Sequence, residues 1–251
     1  MSLSALFRRA PAFADGQVVD VGGALIRLKV NARARRVSLR VDAARREAVV
    51  TAPSARRLAD AVAFARSRAG WIAERLDAAP ARLALVPGAQ IPLQGAPCRL
   101  ERAAMRVAPR IVRATAEEPA RLIASGDGEA FARAVLRALK AEALHALCER
   151  TAAHVAALGL PLPPVSVADP KGRWGSCRGP HRGDLGAIRY NWRLVCAPPE
   201  VLDYVAAHEA AHLVEPNHSP AYWAVVDRLY GDPSASRRWL REHGPALHAL
   251  G

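Results

Sequence analysis

His208-Glu209-Ala210-Ala211-His212, with His218 six residues beyond, is the stretch whose residue types and spacing can do chemistry. Histidines four apart lie on one helix face, about a turn from each other, so both imidazoles can reach one metal ion. A third ligand at His218 fills three corners of a tetrahedron and leaves the fourth open for water. That donor set suits Zn2+. Glu209 is one residue round the helix from His208. There it can take a proton from the water rather than bind the metal.

A motif of this kind needs a helix that holds both histidines and a stop that lets the chain come back. The sequence predicts a helix from about Pro199 to Val214, with Val201, Leu202, Val205 and Ala206 embedding its first turns. Pro198 or Pro199 opens it and Pro216 stops it, so that His218 can return. Ser219-Pro220 starts another helix, with Tyr222, Trp223, Val226 and Leu229 on its apolar face. Gly231-Asp232-Pro233 ends that one, and a last helix carries Trp239 and Leu240. Upstream, a helix from Glu129 to about Leu158 closes at Gly159 and three prolines. Val165 to Ala168 and Leu185 to Val195 read as strands of a hairpin, with a loop near residues 179–183.

The first half is built differently. Val18-Val19, Ala24 to Val30, Arg36 to Asp42 and Ala48 to Thr51 read as a small antiparallel sheet, after a loose leader over residues 1–16. Leu58, Val62, Ala65, Ala69, Ile72 and Leu76 recur at helical steps, so one helix is expected over about 55–77, with Ser54 as its cap and Trp71 anchoring its end in the core. Residues 79–128 are broken by Pro80, Pro87, Gly88, Pro92, Gly95, Pro97, Pro109 and Pro119. Short strands are expected near Ile91-Leu93, Arg99 to Arg102 and Arg110 to Ala114. No internal repeat is apparent. The expected fold class is α+β. A basic, β-rich region over residues 1–128 precedes a zincin-like catalytic domain over residues 129–251, and Ser125 to Gly128 marks the join.

Composition bounds the function. Apolar residues make up 51% of the 251, too many for disorder. No apolar run approaches the ~18 residues of a membrane span, and the start of the chain lacks the apolar segment of an export signal. A cytoplasmic protein with no membrane partner is the expectation. Cys98, Cys148, Cys177 and Cys196 form no C-x-x-C pair and read as free thiols. The net charge of +13 is uneven: residues 1–150 hold 26 Lys+Arg against 14 Asp+Glu, and residues 151–251 hold 10 against 9. An anionic partner such as a nucleotide or nucleic acid, or simply a solvated surface, would account for it.

The spacing from His212 to His218 also fits the metzincins. Glu215, however, stands where they have a glycine, and Met1 and Met105 both precede the motif, so no Met-turn follows it. Several other stretches carry a different likeness. They are Arg173-Trp174-Gly175-Ser176-Cys177, Tyr190-Asn191-Trp192-Arg193-Leu194, Val201 to His212, Asn217-His218-Ser219 and Tyr222-Trp223. Together they resemble the YgjP-like metallopeptidase family, whose core is related to the SprT-like zinc proteases. The resemblance covers residues 165–230. It extends less specifically to Arg35 to Val41, Thr51-Ala52-Pro53 and Gly70-Trp71-Ile72. It implies a gluzincin-type core, zinc on His208, His212 and His218, and hydrolase chemistry on an unspecified substrate.

With Glu209 as general base, such a site also needs a donor for the developing oxyanion. Arg173, Asn191 and Tyr222 are the candidates; Arg173 could equally make an ion pair, and Asn191 could cap the hairpin backbone. Trp174, Trp192 and Trp223 read as a shell around the site. Cys177 reads as a spectator thiol, and Asp203 and Glu215 as supports for a ligand histidine. A peptide or protein substrate is the first expectation. A phosphoanhydride of a nucleotide is the second, since the same activated water can attack phosphorus. A nucleic-acid-associated protease, or a zinc-stabilised nucleic-acid-binding protein, is the third; an intact Glu209 argues against a purely structural site.

Overall fold

The computed structural model describes residues 13–42, 47–78 and 83–251. Residues 1–12 of the expected leader, and Pro80, lie outside the described residues. The chain has an α+β fold and divides into two compact units, Met1–Arg82 and Leu83–Gly251. The boundary expected at 128/129 falls inside the second unit, because the strands before it share a core with the helix after it.

The first unit has strands β1 (Val18–Val21), β2 (Ala24–Val30), β3 (Ser38–Asp42) and β4 (Glu47–Ala52), in the order β1-β2-β4-β3. The sheet is mixed rather than purely antiparallel, since β2 and β4 run parallel. Helices α1 (Leu58–Arg66) and α2 (Ala69–Asp77) cover it. They replace the single helix expected over 55–77. The Ser67 hydroxyl donates to the Phe64 carbonyl at 2.8 Å, and the chain turns at Ser67-Arg68 before α2 begins. Ser54 stands at the cap position of the preceding 3-10 turn, but its side chain makes no capping bond. Trp71 is 41% exposed, under the Arg75 guanidinium; the wholly buried Ile72 anchors α2 instead.

The second unit begins with β5 (Gln90–Leu93), β6 (Ala96–Arg102), β7 (Arg110–Val112) and β8 (Ala120–Ala124), in the order β5-β6-β8-β7. This is the first sheet again. Ile26 pairs with Ala48 in one and Cys98 with Ala120 in the other; Ser38 pairs with Thr51, and Arg110 with Ile123. Every partner in the second sheet lies 72 positions after its counterpart. The two-residue turns match as well: Gly22-Gly23 and Gln94-Gly95 all have positive φ, as a tight hairpin on right-twisted strands requires. The repeat is not apparent in the sequence because the paired positions keep burial rather than residue identity. Ile26 and Cys98 are both 0% exposed, for example.

The second copy of the sheet is joined to the site. Its turn lies against Pro198, and the Gln94 N–H donates to the Val195 carbonyl at 2.7 Å. Behind it, α3 (Gly128–Ala157) packs Phe131, Val135, Leu139 and Leu147 into the same core. The remaining elements are β9 (Val165–Ala168), β10 (Gly175–Arg178), β11 (Ala187–Asn191), a 3-10 turn over Trp192–Cys196, α4 (Pro199–Ala211), α5 (Pro220–Tyr230) and α6 (Ser234–His248). The hairpin is formed by β10 and β11, whereas β9 runs parallel to β11. No helix among the described residues is long and apolar enough to cross a membrane.

Arg193 ties the last residues to this sheet. It is 6% exposed, donates to the Leu250 carbonyl from Nε (3.0 Å) and Nη2 (2.8 Å), pairs with Asp169 and lies over the Trp192 ring. Arg193→Met keeps the stem but leaves the Leu250 carbonyl and Asp169 without their charged partner. Urea unfolding is expected to show a loss of about 2–4 kcal/mol. An unchanged midpoint would make the clamp irrelevant to stability.

Candidate metal centre

Helix α4 is apolar nearly all round, so it is held in place rather than draped on a surface. Behind it, His154 of α3 meets Asp203 at 2.9 Å, and Thr151 meets the Tyr190 hydroxyl at 2.8 Å. His154 is thus a packing histidine, and Asp203 supports it rather than a residue of the motif. Burial of Val201, Leu202, Val205 and Ala206 fixes the helix rotation, which brings His208 and His212 to one side.

His208, His212 and His218 each offer a ring nitrogen, and the three lie within 4.8 Å of one another. Nε2 of His208 and Nε2 of His218 are 3.3 Å apart. A tetrahedral zinc with Zn–N bonds of about 2.0–2.1 Å sets its nitrogens about 3.3–3.4 Å apart. The donor set therefore fits that ion. The far side of His212 is fixed too. Its Nδ1 faces the Glu215 carbonyl at 3.0 Å; a carbonyl only accepts, so Nδ1 carries the proton and Nε2 keeps its lone pair. Glu215 supports the ligand through its backbone, not through its carboxylate. Burial and the neighbouring His212 and His218 pull His208 down to about 4, so all of its weight at neutral pH is in the unprotonated, donor form. His212 is lowered as well, mainly by burial.

Glu209 is 5% exposed, and burial pushes its carboxyl up to about 7, with Arg173 pulling the other way. A carboxyl raised toward neutrality is suited to proton transfer in both directions. The carboxylate lies directly on β10. A Cβ at Gly175 would come within 2.6 Å of Glu209 Cδ and Cγ, closer than real contacts allow. Gly175→Ala must therefore displace Glu209. Peptide turnover is expected to fall about a hundredfold, the scale reported for small misplacements of reacting groups, with the metal retained. Turnover at the wild-type level would show that Glu209 has room to spare.

The candidate oxyanion donors separate cleanly. Asn191 accepts from the Arg193 N–H at 3.0 Å and donates to the Pro170 carbonyl at 3.0 Å; it caps the turn after β11. Tyr222 is fully buried, lays its ring against His212 at a centroid distance of 4.5 Å and donates its hydroxyl to the His208 carbonyl at 3.0 Å. Both are engaged with backbone. Arg173 is exposed and faces Glu209 electrostatically. Trp223 stacks on His218 with centroids 6.0 Å apart. Trp174 stacks on His248, whereas Trp192 is in the core. Burial pushes the Cys177 thiol up to about 12, which keeps it protonated and unreactive.

Two further neighbours of the site lie outside the expected set of residues. Tyr204, one turn before His208, brings its hydroxyl to 3.5 Å from His208 Nδ1; the i, i+4 spacing was the available signal. Arg237 comes from α6, and nothing local in the sequence ties it to the histidines.

A model of the family described as YgjP-like, metallopeptidase domain, matches residues 35–243 of the chain. The chain belongs to this family. No curated protein and no solved structure matches it. The family's description as a metallopeptidase domain implies a metal ion and peptide or protein substrates. The YgjP-like match begins in the first unit, ends within α6 and contains His208, Glu209, His212, His218, Arg173, Asn191 and Tyr222.

Proposed function

We propose that the chain is a zinc-dependent peptidase in which His208, His212 and His218 hold the metal and Glu209 is the proton carrier. The observation that carries this reading is the convergence of three imidazole nitrogens, one pair at the spacing zinc requires, at the end of a helix that also carries the buried carboxylate of Glu209. Zinc held there would acidify a coordinated water and polarise the carbonyl under attack. The protein supplies the rest. The Glu215 carbonyl and the Tyr222 ring orient His212, and α4 fixes His208. Glu209 accepts the proton of the attacking water and delivers it to the leaving amine, which balances the hydrolysis of one peptide bond by one water. Arg173, an exposed cation that acts electrostatically on Glu209, would steady the negative charge that develops on the carbonyl oxygen.

Incubating the zinc-loaded protein with a peptide library and, separately, with a panel of nucleoside di- and triphosphates tests the choice of bond. New peptide termini with intact nucleotides are expected. Phosphate release without peptide cleavage would replace this reading with phosphoanhydride hydrolysis.

A further inference from the structure

We propose that Arg237 is a specificity residue: its guanidinium, laid on Trp223 beside His208 and His218, receives a carboxylate of the peptide being cleaved. The proposal rests on the peptidase reading above and names a chemical feature of its substrates. Arg237 stands in the first turn of α6, and its guanidinium carbon lies 4.9 Å from the centre of the Trp223 ring. That ring is itself 6.0 Å from the ring of His218 and 6.3 Å from that of His208. The stacking holds a mobile, exposed side chain at the rim of the site rather than letting it trail in solvent.

The charge reaches the site. Arg237 acts electrostatically on His208, Tyr204 and Tyr222. It forms no ion pair with a carboxylate among the described residues, unlike Arg121, Arg178 and Arg193 of the same unit. The carboxylate that influences Tyr204 and Tyr222 is Glu209, which lies against β10. A fixed cation next to a metal centre works against binding the metal, because like charges repel across a partly buried space. An anion from outside would offset that repulsion. The anions a peptide carries are carboxylates, and the planar guanidinium matches them with two parallel hydrogen bonds. Two sources offer the same group: the side chain of Asp or Glu near the scissile bond, and the carboxylate at the peptide's own carboxyl terminus.

The test compares matched peptides on the wild-type protein, Arg237→Met and Arg237→Lys. One arm uses amidated peptides that differ by Glu against Gln at each position flanking the cleaved bond. The other uses neutral peptides with a free or an amidated carboxyl terminus. Wild type is expected to favour the carboxylate form in one arm by about tenfold or more in kcat/KM, the scale of a charge-assisted hydrogen bond. Arg237→Met, which keeps the stem on Trp223, should bring that ratio to near one, and Arg237→Lys should keep part of it. Binding of the same pairs to zinc-loaded Glu209→Gln, with and without Arg237→Met, is measured by calorimetry and needs no turnover. If no peptide is cleaved, the peptidase reading fails while the binding ratio still decides the role of Arg237. Equal handling of both forms by wild type, or a preference that survives Arg237→Met, overturns the proposal.

Discussion

Glu209→Gln is expected to lower peptide turnover about a thousandfold, within the range that a positioned acid–base group contributes, while zinc stays bound at wild-type stoichiometry. The substitution is isosteric, so it keeps the contact with Gly175 and removes only the group that can carry a proton. The same change should stabilise the metal-free protein. The carboxyl of Glu209 has a folded value near 7 against an ordinary 4.5, so above pH 7 folding must bury it charged, at a cost of about 3 kcal/mol. Between pH 7 and 4.5 the folded state takes up a proton that the unfolded state has yet to bind, and the cost fades. Below 4.5 it is gone. In metal-free samples, denaturant unfolding of Glu209→Gln and wild type should differ most at pH 8 and converge at pH 4. A gain in stability with a loss of activity is the signature of a strained functional group; lost activity with equal stability at all pH values would place the Glu209 charge in a solvated setting.

His208→Ala, His212→Ala and His218→Ala are each expected to weaken zinc binding at least a hundredfold, since even an outer-sphere partner is worth ten- to a hundredfold. Two nitrogens cannot complete the donor set, and no fourth His, Cys, Asp or Glu joins the cluster among the described residues. Loss of the metal should also remove the rise in melting temperature that zinc gives the wild-type protein. Stoichiometric zinc in any of these variants, measured by mass spectrometry of the native protein, would strike that histidine from the set.

The site was more legible than the scaffold. Helix spacing is local, so the pairing of His208 with His212 and the helix start at Ser219-Pro220 could be read directly, although α4 ends at Ala211, with His212 as its C-cap, short of the Val214 expected from the stop at Pro216. The role proposed for Glu209 rests on the same register. What was hidden depends on distance along the chain. Gly175 matters only because β10 passes under α4, and Arg237 only because α6 returns to Trp223. Asn191 and Tyr222 have the right chemistry for oxyanion donors, but the backbone carbonyls of Pro170 and His208 had to be located before their bonds could be assigned. β8 was missed because Ala120 and Ala124 give a weak alternation, and the parallel pairing of β2 with β4 because strand direction leaves no local trace. The repeated sheet was missed for the same reason: its likeness lies in register and not in residues.

The central claim is that one zinc on the three histidines powers peptide hydrolysis. Its most direct test is to strip a single wild-type preparation with chelator, add zinc back in steps, and follow bound metal and peptide cleavage together. The two should rise in proportion and level off at one zinc per chain. Cleavage that survives full removal of the metal, or a protein that fills with one zinc and cuts no peptide, would contradict it.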